Sequence, residues 1–201
     1  MFLCRGSIYT TIFAALLPNY MGLFKRLMHT PRLASFEIYL LDQKIYFYIV
    51  VPRELETFIT SLMVSSYPRA FIAETTDPMA TFMKSKHKEV GELKLEESYH
   101  YPLKTYKDFS DVDPIASLIG FLAKQQEGVN IGIQLLVTPA SFPWQSHAIS
   151  ATQPKVNSDG TTSKEGTVSA SAVATKTQFQ GGKTLIRLIA ATDTENPYHY
   201  L

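Results

Sequence analysis

The chain has 201 residues, enough for one large domain or two small ones. Hydrophobic residues make up 45% and charged residues 18%, so a buried core can form, while a formal net charge of +1 supplies no basic stripe of the kind that nucleic acid attracts. The single cysteine, Cys4, excludes an internal disulfide and a thiolate zinc cage, and no run reaches the roughly 18 apolar residues that span a bilayer.

Arg5 precedes an apolar run at residues 12–17, but that run is short and broken by Pro18, unlike a secretory leader. Ile12, Ala15, Leu16, Tyr20, Leu23, Phe24 and Leu27 recur at helical spacing and predict a helix over residues 8–28, kinked at Pro18 and stopped by Thr30-Pro31. Lys25, Arg26 and His29 near its end complement the helix dipole.

Residues 36–51 read as a β-hairpin turning at Asp42-Gln43, with both arms rich in β-branched and aromatic residues. Side chains alternate along a strand, so Phe36, Ile38, Leu40, Ile45, Phe47 and Ile49 form a core face. Glu37, Tyr39, Tyr46 and Tyr48 lie on the other face, which is expected to be covered in part or to serve as a contact surface; Tyr39, Tyr46 and Tyr48 are the candidate interaction residues.

Pro52 opens a second predicted helix to Ser66, with Leu55, Phe58, Ile59, Leu62 and Met63 as its buried stripe and Tyr67-Pro68 as its end. Residues 70–75 predict a third strand, residues 76–89 a polar loop, and residues 90–97 a fourth strand. Asp113 is a good N-cap for a helix that begins at Pro114 and runs to about Gln125, burying Ile115, Leu118, Ile119 and Leu122. Residues 131–138 form a strongly apolar strand closed by Pro139. The Ser/Thr-rich residues 141–166 read as a flexible linker with Trp144 as its landmark, and residues 183–192 as a final strand. The expected fold is therefore α+β. A ferredoxin-like βαββαβ-type sandwich lacking its first strand, with a further strand-helix-strand, occupies residues 1–140, and a truncated second unit occupies residues 167–201.

Few residues point to chemistry. Gly181-Gly182-Lys183-Thr184 looks like the tail of a phosphate-binding loop, but it enters a strand instead of leaving one for a helix. Asp108, Asp111 and Asp113 lack the glycine turn and distal glutamate of a calcium hand, and the five histidines have no zinc-ligand spacing. Ser146-His147 are neighbours in sequence only, and Glu96-Glu97 at a strand end point to opposite faces. No catalytic residue, metal site or cofactor is expected.

The hairpin with its following Pro52 and helix, then Tyr67-Pro68, Tyr101-Pro102, Lys104-Thr105-Tyr106 and Asp113-Pro114, resembles the amino-terminal region of large bacterial proteins of conjugative DNA transfer and type IV secretion. In those proteins this region precedes a P-loop ATPase, often after a membrane anchor. The resemblance implies a cytoplasmic, non-enzymatic assembly or regulatory domain at the inner face of the membrane. Its implied partner is the downstream ATPase domain or protein of the same machine, with self-association also open. The alternative is single-stranded nucleic-acid binding, with the three tyrosines as a stacking platform, a reading the near-neutral charge disfavours.

Overall fold

The computed structural model describes residues 12, 15–16, 32–101, 103, 113–140, 143–154, 169–178 and 181–193. Within them lie a hairpin, β1 (Ala34–Leu41) and β2 (Lys44–Val50), then α1 (Glu56–Ser66), α2 (Met79–Lys84) and β3 (His87–Leu93). They are followed by α3 (Pro114–Leu122), β4 (Val129–Pro139), α4 (Trp144–Ser150), α5 (Ala170–Thr177) and β5 (Gly182–Thr192). All five strands join one antiparallel sheet in the order β2-β1-β4-β5-β3.

The hairpin forms where its alternation places it. Asp42 and Gln43 both take positive φ, 47° and 61°, the pair of left-handed residues that lets a two-residue turn follow the strand twist. Neither is glycine, and the tip is held from outside: the Asp42 amide donates to Asn130 Oδ1 (3.3 Å) and Gln43 Nε2 donates to the Gln126 carbonyl (2.8 Å). These bonds anchor the turn to the start of β4.

One face of the sheet carries the aliphatic core. Ile12, Leu16 and Ile59 of α1 pack on Ala34, Phe36 and Ile49, while Leu122 of α3 packs beside Leu40, Val129 and Ile131. The expected stripe of α1 holds at four of its five positions: Ile59 is buried and Leu55, Leu62 and Met63 pack partly against the core, but Phe58 is exposed. In α3 the predicted cap holds, with Asp113 Oδ1 accepting from the Ile115 amide at 2.9 Å, whereas Ile115 itself is exposed. Asp113→Ala removes that acceptor and should lower stability by about 1 kcal/mol, read as a shifted urea midpoint with an unchanged slope.

Four expectations are corrected. Residues 70–75 are not a strand; Phe71 is 94% exposed, and among the described residues no strand pairs with them. The polar loop expected over 76–89 contains α2, opened by Asp77 Oδ1 accepting from the Met79 amide (2.8 Å), and the first residues of β3, which ends at Leu93. The linker contains α4, whose Trp144 packs with Ala148, Ala151 and Val173 of α5. The final strand, expected to open a second unit in residues 167–201, is inserted between β4 and β3 of the one sheet.

That insertion makes β3, α3 and β4 a split crossover unit, since two strands that each pair antiparallel with β5 run parallel to one another. The predicted helix of residues 8–28 is represented by Ile12, Ala15 and Leu16, which are helical; its remaining positions lie outside the described residues. Among the described residues no helix is long and apolar enough to cross a membrane.

Candidate functional site

The second face of the sheet is where polar chemistry collects. Its register aligns Tyr48, Glu37, Gln134, Arg187 and Glu92 in a row across β2, β1, β4, β5 and β3, one residue from each strand. Directly opposed residues of antiparallel strands share a face, so all five side chains project the same way.

The middle of the row is buried, including Glu37 and Gln134. Gln134 Nε2 donates one hydrogen to Glu37 Oε1 (3.0 Å) and the other to the Tyr39 hydroxyl (2.9 Å), so both protons of the amide are used. The Tyr39 hydroxyl in turn lies 3.8 Å from Met79 Sδ on α2. Burial, and then the Glu37 carboxyl beside it, push the Tyr39 phenol well above the ordinary tyrosine range; Gln134 acts in the opposite direction. Arg187 Nη2 meets Glu92 Oε1 at 3.3 Å at the outer end of the row, a partly exposed pair that adds little stability.

This network fixes register. A slip of one residue would carry Glu37 onto the aliphatic face under α1 and α3, so the row penalises every such pairing.

The tyrosines do not form one surface. Tyr39 is fully buried, with its ring edge-on to Tyr48 (centroids 5.4 Å, 85°) and tilted against Phe82 of α2 (5.5 Å, 51°). Tyr48 is half-buried, its phenol raised by burial and then by Tyr46 and Glu37, and Tyr46 is 41% exposed. Only Tyr46 and the open part of Tyr48 remain for a partner. Neither α2, the cover over Tyr39, nor the Glu37–Gln134 pair is among the expectations from sequence; Asp77-Pro78 and a polar residue inside each of two apolar strands are the signals that point to them.

Elsewhere the candidate residues stay apart. Ser146 Oγ donates to the Pro143 carbonyl (2.8 Å) within α4 and does not engage His147. Glu96 and Glu97 follow the end of β3 instead of lying within it, and Glu97 lines a cavity of about 480 Å³ with Leu95, Ser98, Tyr101 and Leu103. Beside that cavity Lys176 of α5 donates to the carbonyls of Tyr99 and Tyr101, and burial lowers its pKa. Asp113 serves as a cap, whereas Asp108 and Asp111 lie outside the described residues. Among the described residues no group of three or more His, Cys, Asp or Glu side chains converges.

The sheet edges present a different kind of site. Among the described residues β2 pairs only with β1, and β3 only with β5. Both edges show apolar side chains to solvent: Val50 (53%) on β2, Val90 (58%) and Leu93 (55%) on β3.

A family model described as a domain of unknown function, DUF8128, matches residues 18–197. No curated protein and no solved structure matches the chain. With nearly its whole length spanned by that one model, this sheet and the helices around it belong to the DUF8128 family.

Proposed function

We propose that the chain is a non-enzymatic assembly domain of a conjugative DNA-transfer or type IV secretion-like machine, docked to its neighbours through the edges of its sheet. The observation that carries this reading is the pair of outer strands with solvent-facing apolar residues. Backbone N–H and C=O groups along such an edge bond readily to a strand from another chain, and the apolar side chains supply the contact area. The row centred on Glu37 and Gln134 supports the same reading, because it holds the sheet rigid behind those edges. The split β3-α3-β4 unit with β5 between its strands supports a ferredoxin-like reading of that half of the sheet. The partner is the P-loop ATPase part of the same machine, and the domain works on the cytoplasmic side, at the inner face of the membrane.

The immobilised 201-residue chain should retain that ATPase part in a pulldown. A Tyr46→Lys/Val50→Lys variant should weaken retention by about tenfold or more, since lysine on an edge strand is a natural block to pairing. An ATPase part that is ignored by the wild-type chain, or bound equally by the variant, defeats the reading.

A further inference from the structure

We propose that β3 is the seam of a symmetric dimer, in which two copies of the chain pair their β3 strands antiparallel about Val90 and join two sheets into one. The inference rests on the assembly reading and gives one of its two edges a partner, a second copy of this chain.

The strand reads His87-Lys88-Glu89-Val90-Gly91-Glu92-Leu93, and its neighbour on the inner side is β5. An antiparallel pair of identical strands has a two-fold axis through one residue, which then faces its own copy. With the axis at Val90, each Lys88 faces Glu92 of the second copy, and each Glu92 faces the second copy's Lys88. Lys88, Val90 and Glu92 alternate onto one face of the sheet, so an apolar centre is flanked by two opposite-charge pairs. On the other face Glu89 meets a glycine and His87 meets a leucine, with no like charges opposed.

Neighbouring registers are poorer. An axis at Glu89 sets two carboxyl groups against each other, and an axis at Gly91 sets Lys88 against Lys94. In the Val90 register the only like charges to meet are Lys86 and Lys94, and both lie beyond the strand. The side chains that would pair are exposed: Lys88, Val90 and Glu92 are all open to solvent in the single chain. Glu92 already holds Arg187 on its inner side, which orients its carboxyl group without using all of its acceptor sites.

Sedimentation equilibrium of the full 201-residue chain tests the seam. The wild-type chain should dimerise. Lys88→Glu places glutamates opposite glutamates, Glu92→Lys places lysines opposite lysines, and each variant should weaken self-association by about tenfold or more. An equimolar mixture of the two variants restores both opposite-charge pairs and should recover the dimer, a result that misfolding of either variant would not give. A wild-type chain that stays monomeric, or variants that dimerise as it does, overturns the seam. Neither result touches retention of the ATPase part by the β2 edge, which is measured separately.

Discussion

Gln134→Leu should lower the stability of the fold by about 3 kcal/mol and its melting temperature by about 10 °C. The residue is buried and donates to both Glu37 and Tyr39, so the substitution removes two hydrogen bonds together. The larger part of the cost lies in what remains, a buried Glu37 oxygen with its amide donor gone and leucine methyl groups in its place. Glu37→Leu with Gln134→Leu should recover most of the loss, because removing both partners leaves an apolar contact instead of a stranded polar group. Urea denaturation of the two single variants and the double one measures the coupling. Additive losses would mean that the network does not act as a unit.

Gly132→Ala should cost about 3 kcal/mol by overpacking, although replacing a glycine inside a strand by alanine ordinarily stabilises by up to about 1 kcal/mol. Gly132 sits opposite Tyr39 in the β1–β4 register, and the tyrosine ring lies across the place where a side chain would stand. A Cβ there would lie 2.6 Å from Tyr39 Cε1, 2.9 Å from Cδ1 and 3.3 Å from Phe82 Cζ. The ring cannot retreat, since Phe82 and Tyr48 hold its faces and edges and Gln134 holds its hydroxyl. Gly91→Ala, in β3 of the same sheet, provides the control: its added Cβ meets nothing within 4 Å, so stability should stay the same or rise slightly. Equal losses for the two substitutions would show that the sheet resists any side chain, not one beneath Tyr39.

What the sequence made legible was local. The hairpin strands within residues 36–51, the turn at Asp42-Gln43 and the Asp113-Pro114 cap each depend on neighbours a few positions away, and each is found where expected, although Phe47, expected in the core face, is 53% exposed. The same Asp-Pro signal stands at Asp77-Pro78 and opens α2, but the lysines that follow make the segment look like a solvated loop. Missing α2 meant missing Phe82 and Met79, and with them the cover that takes Tyr39 out of the tyrosine surface. Residues 70–75 have strand composition but, among the described residues, no strand to pair with, and composition alone cannot supply one. Glu37 and Gln134 stand 97 positions apart, a pairing set by sheet order that no local window contains. The same holds for β5, whose apolar run announces a strand but not its place between β4 and β3.

The position of β5 also imposes a timetable on synthesis. When a ribosome has passed Gln178, four of the described strands exist, with β1 already able to join β2 and β4, yet β3 still waits for its neighbour β5. The nascent polypeptide must keep that strand apart from other chains until the last one emerges to claim it. Late arrival of this inner strand, more than the helices around it, delays the docking of β3 onto the rest of the sheet.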